Sequence, residues 1–294
     1  ARHPDSARLA IGIECANGRV ANLREQGRFI DFTLKMGLPS WRHEIDGSVI
    51  EKSVVLSARH DIVYVTFRLL GDDREARLRL RPFINFRALE APVDEALASG
   101  YALTARGQRY EIAAGPDLPT LHLAIEGREG ATFTADGGMR RECFFEIEAQ
   151  RGYDSRGWLW SPGYFTGTVG KNSPLTLVAG TEPWHTISAL DPDDALVFEG
   201  ERRRRLIGLA APPAQSGFGA ELVLAADAFV IAPVGRVADV ARSHAEGEYV
   251  GTIIAGYHWF TDWGRDTMIS LEGLTLSTGR FVEARWILRT FAHY

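Results

Sequence analysis

From Ile11 to about Val230 the apolar side chains recur mainly at every second position, as in Val63, Val65, Phe67 and Leu69 and again in Leu121, Leu123 and Ile125. Alternation of this kind lays one face of an extended strand on a core and the other on solvent, a demand that helical spacing does not meet. Turn signals cut the runs into strand-length pieces: Asn17-Gly18, Asp46-Gly47, Gly71-Asp72-Asp73 and Asp136-Gly137-Gly138. Many strands without amphipathic helices between them predict packed antiparallel sheets, a sandwich rather than a parallel α/β fold. The strict alternation of Arg77-Leu78-Arg79-Leu80-Arg81 predicts one apolar face and one that carries guanidinium groups into solvent.

Near residue 212 the texture changes. Pro212 to Gly217 is turn-rich, and Ala220 to Ile231 reads as one more strand or a pair of strands. Residues 233–250 read as a linker or short helix. Beyond them the period becomes helical: Met268, Leu271 and Leu274 predict a helix over Arg265 to Ser277, with Gly279 as its C-cap. Phe281, Ala284, Leu288 and Phe291 predict a second helix from Phe281 to His293. Two such helices cannot cover both apolar faces by themselves, so a covering element is expected that is missing from this sequence or supplied by a partner.

Composition narrows the function classes. At 294 residues and 45% hydrophobic the chain supports a sizeable core. Its 33 basic and 38 acidic residues leave a formal charge of -5, which gives no footprint for nucleic acid or an anionic membrane; a neutral or small partner fits better. The run Arg202 to Arg205, beside Glu199 and Glu201, would alternate to both faces of a strand and makes no basic patch. Cys15 and Cys143 lack the spacing of a zinc site or disulfide framework and read as buried or free thiols. No signal-like apolar segment and no run of membrane-spanning length occur, so a cytoplasmic location is expected. His43, His60, His122, His185, His244, His258 and His293 show no metal-ligand spacing, and no cofactor is implied.

The segment richest in chemistry is Ala255 to Thr267, where Tyr257, His258, Trp259, Phe260 and Trp263 lie within seven positions and Gly264-Arg265-Asp266 follows at once. Sugars present apolar C–H faces and polar hydroxyl edges, so a saccharide pocket needs aromatic platforms for the first and fixed hydrogen-bonding charges for the second. Arg265 offers a planar fork of donors and Asp266 a pair of acceptors, suited to two adjacent hydroxyls. The same residues would also serve as a salt bridge at a helix start with two core tryptophans. Asp262 and Asp266 are four apart and would share a helix face as an acid and base pair only if the helix ran through Gly264. Glu272 and Glu283 read as solvated or ion-paired.

The run Ile254 to Leu271, with Leu276-Ser277-Thr278-Gly279-Arg280 after it, resembles the start of the catalytic domain of microbial glycogen-debranching enzymes of the amylo-α-1,6-glucosidase type. Met36-Gly37-Leu38-Pro39-Ser40-Trp41, Leu80-Arg81-Pro82-Phe83, Leu159 to Tyr164 and Leu224 to Phe229 resemble the β-rich N-terminal domain of the same proteins. The resemblance implies a β-supersandwich over residues 1–232 and the first helices of a truncated (α/α)6 barrel over 251–294. It implies removal of α-1,6-linked glucose from branches of glycogen or another α-glucan by inverting hydrolysis. In that picture the pair matching Arg265 and Asp266 grips the terminal glucose, and Tyr257, His258, Trp259, Asp262 and Trp263 complete the substrate-binding set. Two departures matter. The Gly-Gly-Tyr-Ala-Ser opening and the Arg-Tyr-His-Gly-Leu-Leu segment are missing, and so is the downstream Thr-Trp-Met-Asp stretch with its catalytic carboxylate. The expectation is therefore an inactive fragment, with no catalytic residue assigned and the rest of the barrel domain as its partner. A glucoamylase-like or trehalase-like exo-glucosidase and a non-catalytic polysaccharide-binding β-sandwich module are the alternatives.

Overall fold

The computed structural model describes residues 9–14, 20–45, 47–58, 60–71, 75–87, 91–95, 100–127, 130–233, 241, 245, 247, 249–257 and 260–292. The chain divides into two compact units, Ala1–Ala195 and Leu196–Tyr294. Along the first unit run β1 (Leu9–Glu14), β2 (Val20–Asn22), β3 (Arg28–Lys35), β4 (Leu38–Ile45), β5 (Ser48–Leu56), β6 (Ile62–Leu70), β7 (Glu75–Pro82), β8 (Ala102–Arg106), β9 (Arg109–Ala113), β10 (Leu121–Gly127), β11 (Thr132–Phe144), β12 (Arg156–Gly170) and β13 (Leu175–Gly180). They form a five-stranded sheet in the order β11-β12-β7-β1-β2 and an eight-stranded sheet in the order β3-β4-β5-β6-β13-β10-β9-β8. The described pairings in both are antiparallel, as the period of two predicts.

The inner faces of the two sheets meet in one core. Leu78, Leu80 and Phe165 come from the smaller sheet, and Ile50, Phe67, Leu69, Ile112 and Leu175 from the larger. A second cluster of Val55, Ile62, Tyr64, Val178, Ile187 and Ala195 includes outer-face residues of the larger sheet. Cys143 is buried with Phe83 and Leu159, and Cys15 lies outside the described residues.

Several local expectations change. Asp136-Gly137-Gly138 does not separate two strands. It lies inside β11 as a bulge, where the register against β12 shifts between Ala135 and Met139 and both glycines have positive φ. Met36-Gly37 closes the two-residue hairpin between β3 and β4 with φ of 52° and 72°, the pattern of a type I′ turn. The arginines of β7 are only partly solvated. Arg77 is exposed, but Arg81 pairs with Asp136 and retains 14% of its side-chain exposure, and Arg79 stacks 4.3 Å over the Tyr164 ring.

The larger correction concerns the two stretches on either side of the turn-rich Pro212 to Gly217, both read as strand. A helix spans Pro192–Leu209, and the basic run Arg202 to Arg205 lies on it rather than on a sheet. Its buried positions 195, 199, 200 and 206 have helical spacing, but a glutamate at 199 hides that spacing from an apolar count. A second helix spans Gly217–Asp227, where an almost unbroken apolar run carries no usable period. Helix therefore begins well before residue 232, where the sequence placed the end of the β domain. The linker expected at 233–250 falls mostly outside the described residues.

The second unit continues with β14 (Val230–Ile231) paired to β15 (Thr252–Ile253), then helices at Gly264–Leu271 and Phe281–Phe291. Both helices were legible in the sequence. Between them Glu272–Leu276 widens into a π-helical turn, and the chain leaves it through Gly279. Gly279 has φ of 77°, and a Cβ there would lie 2.1 Å from the Leu209 carbonyl oxygen, so both backbone and space require glycine. No helix among the described residues is long and apolar enough to cross a membrane.

Candidate functional site

The aromatic and charged segment lies wholly in the second unit, between β15 and the Gly264–Leu271 helix. The chain on the two sides of residues 258 and 259 is held close together. Ile254 and Asp262 form an isolated antiparallel bridge, the Ala255 amide donates to the Thr261 carbonyl at 2.9 Å, and the Phe260 amide donates to Gly256 at 3.2 Å. The segment is thus pinned at its neck, and Tyr257, Phe260 and Trp263 are its described rings.

Tyr257 is fixed from below. Its hydroxyl donates to the Ala228 carbonyl, and its ring lies 6.0 Å from that of Phe229. Burial of that hydroxyl pushes the phenol pKa up, and the Asp227 carboxylate adds to the shift, so the group stays a neutral donor. The ring remains 49% exposed, a platform whose polar end is already used. Trp263 is 47% exposed and stands edge-on to Phe260 at 5.5 Å. Its carbonyl accepts the Thr267 amide at 2.8 Å and so starts the helix.

Asp262 precedes that helix and is turned toward the sheet. The buried Thr252 hydroxyl donates to its Oδ2 at 3.1 Å. Because Asp262 sits in a bridge and the helix begins only at Gly264, the helical spacing needed for an Asp262 and Asp266 acid and base pair is not present. Asp266 lies in the first turn, where the helix dipole favours a carboxylate. Its Oδ2 is shielded from solvent and makes no hydrogen bond among the described residues. The Arg265 Nε stands 3.5 Å away as an ion-pair partner, while the Arg265 side chain remains 76% exposed. An acceptor kept dry beside an exposed donor fork is an arrangement that adjacent sugar hydroxyls can complete.

Of the residues singled out in the sequence, Tyr257, Asp262, Trp263, Arg265 and Asp266 are set out along this pinned loop and the first turn after it. His258 and Trp259 lie outside the described residues. Sequence reasoning missed the supports: Thr252 under Asp262, and Ala228 with Phe229 under Tyr257. No signal in the sequence joins residues 29 positions apart.

It also missed a chain of alternating charges behind the loop. Glu199 accepts from Arg203 at 2.7 Å and from Arg202 at 2.9 Å, and Arg202 reaches Asp227 at 2.6 Å. Asp227 then accepts from Arg280 at 2.8 Å, and Arg280 meets Glu283 at 3.3 Å. Burial acts to lower the Arg202 pKa, but hydrogen bonds to Glu199 and Asp227 outweigh it and raise the value above the usual arginine range. Glu283 is thus ion-paired, as read.

Family models match most of the chain. The model described as glycogen debranching enzyme N terminal matches residues 5–176, and the model described as amylo-alpha-1,6-glucosidase matches residues 225–294. No curated protein matches. Among solved structures, a bacterial glucoamylase complexed with acarbose is similar at 12% identity and a TM-score of 0.39, over 97% of this chain and 44% of its own. The chain therefore spans less than half the length of that glucoamylase.

Proposed function

The chain belongs to the glycogen debranching enzyme family, a family of glycoside hydrolases, and on that ground we propose that its protein removes α-1,6-linked glucose from branch points of an α-glucan by inverting hydrolysis. The observation that carries the proposal is the pairing of a pre-fixed ring with a carboxylate oxygen that has an ion-pair partner but no hydrogen bond among the described residues. Tyr257 spends its hydroxyl on Ala228 and keeps its face open, while the dry Oδ2 of Asp266 awaits a donor next to the exposed Arg265 fork. Glucose supplies what both lack, an apolar face and hydroxyl protons.

Arg265 and Asp266 hold the sugar and transfer no proton. Inversion needs two carboxyl groups about 6.5 to 9.5 Å apart, one to protonate the leaving oxygen and one to activate water. Asp262 is engaged by Thr252 and Asp266 by Arg265, so neither is assigned to those tasks, and the acid and base belong to parts of the protein other than these residues.

The test compares full-length wild type with Asp266→Asn on a branched limit dextrin. A sugar-holding role leaves both limbs of the pH profile of kcat/KM in place at a plateau lower by a few kcal/mol of transition-state binding. Loss of one limb would make Asp266 a proton-transfer residue. Glucose released initially as the α-anomer would exclude inversion, and no glucose release at all would overturn the reading.

A further inference from the structure

β3 is the terminal strand of the eight-stranded sheet, so among the described residues one edge of its backbone has no strand partner. Cross-strand partners share a face, and Phe32, Trp41, Lys52 and Phe67 are successive partners across β3, β4, β5 and β6. Phe67 is completely buried in the sandwich core, which makes this the inner face. The core stops short of β3, however. Phe29, Phe32 and Leu34 are 45%, 51% and 50% exposed, and no β3 residue belongs to the buried cluster.

The exposed rings are ordered. Phe32 lies 5.3 Å from Trp41 at a tilt of 44°, Phe29 stands edge-on to His43 at 5.5 Å, and the Lys52 ammonium sits 4.3 Å from the Trp41 centroid. The opposite face of the same strands is ionic, with Asp31 3.6 Å from Arg42 and Arg42 2.9 Å from Glu51. One side of this sheet end is therefore charged and self-paired, and the other presents half-exposed aromatic rings.

We propose that this inner face of β3 and β4 is a second carbohydrate site, which takes an outer chain of the same α-glucan. The apolar faces of successive glucose rings rest on Phe29, Phe32 and Trp41, and the free backbone edge of β3 meets their hydroxyls. The proposal rests on the reading of the substrate as a branched α-glucan, a polymer whose many chain ends let one molecule occupy two sites. A holding site on the sandwich raises the local concentration of branch ends at the loop of the other unit without new contacts there. The combination favours a sugar over a protein partner: stackable rings on one face only, beside unpaired backbone donors and acceptors.

The experiment uses the chain as it stands, with maltoheptaose, which has no branch, in solution and glycogen in affinity gels. Phe29→Thr with Phe32→Thr preserves strand propensity on an exposed strand, and circular dichroism checks the fold. The double variant should bind both ligands at least about tenfold more weakly, the loss of one well-used contact surface. Ile147→Ala, which removes a 50% exposed side chain elsewhere, should bind as wild type does. Unchanged binding by the double variant overturns the proposal, as does a wild-type chain that binds neither ligand or an equal loss in Ile147→Ala. A wild-type dimer that the double variant breaks, with glucan binding intact, gives the face to a second copy and also overturns it. Failure of the substrate reading shows separately, as absence of glucose release by the full-length protein.

Discussion

In the first unit the fully enclosed large side chains include Phe67, Phe165, Leu78 and Leu80, all without charge; in the second, Arg280 keeps only 6% of its side-chain exposure and Glu199 only 5%. The sandwich closes over a continuous apolar layer that both sheets share. The helical unit has a small buried apolar cluster around Leu206, Ala210 and Val223, and beside it the chain Arg203, Glu199, Arg202, Asp227, Arg280 and Glu283. Apolar packing is non-directional and tolerates small shifts, whereas an enclosed ion chain is satisfied in one geometry and is costly in any other. The two designs suit different tasks. The sandwich core needs only to support its sheets, while the helical unit must hold Ala228, just past Asp227, where it anchors Tyr257.

The comparison breaks most visibly at its apolar end. Phe165 is fully buried and packs within 5.1 Å of Tyr110 and 4.9 Å of Phe133, ring to ring. Phe165→Ala should cost about 3 to 5 kcal/mol in urea unfolding, the range for a truncated core aromatic. A loss under about 1 kcal/mol would mean that the sheets do not rely on this layer. At the ionic end, Arg280→Met leaves Glu283 without its cation and Asp227 with one instead of two. It should cost about 3 kcal/mol, because an uncompensated enclosed carboxylate is the expensive outcome. The same variant should weaken glucan binding if Asp227 positions the Ala228 anchor, and unchanged binding would separate the ion chain from the site.

A smaller effect tests how the helical unit turns its corner. Gly279→Ala meets both the left-handed backbone and the Leu209 carbonyl oxygen, and should cost about 2 kcal/mol, from an αL penalty with added overpacking. A neutral result in thermal unfolding would show that the end of the Pro192–Leu209 helix can yield.

The contrast also explains what the sequence allowed to be read. Alternation such as that in β7 is a direct trace of burial, so Leu78 and Leu80 are legible as core from the sequence alone. Residue 199 defeated the same logic, because a buried glutamate satisfied by Arg202 and Arg203 looks like surface in a sequence. Gly137 and Gly138 looked like a hairpin because a bulge and a turn make the same demand for positive φ. At the site, the residue types at 257–266 showed the chemistry, but not that Tyr257 hangs from Ala228 or Asp262 from Thr252. Those contacts depend on tertiary approach and leave no periodic mark.

The smallest expected effect concerns a charge that the sandwich does not pair. Glu126 on β10 lies opposite Thr176 and is exposed, but partial desolvation of its carboxyl pushes the pKa up, with the Asp191 carboxylate pushing the same way. Asp191 cannot readily yield, because its Oδ1 accepts the Asp194 amide at 2.8 Å and its carbonyl accepts Ala195 at 2.9 Å, the cap of the Pro192–Leu209 helix. The folded chain therefore holds the Glu126 proton to higher pH than the unfolded chain does. Stability from this group is fully present below the ordinary glutamate pKa and declines as pH rises from there through the raised folded value. Glu126→Gln keeps the shape and removes the titration. Its midpoint should match wild type at about pH 4 and exceed it slightly at neutral pH. Midpoints compared at both pH values decide the matter: a variant less stable than wild type at neutral pH would show that the ionised carboxylate has a partner, and that the first unit, like the second, relies on paired charge.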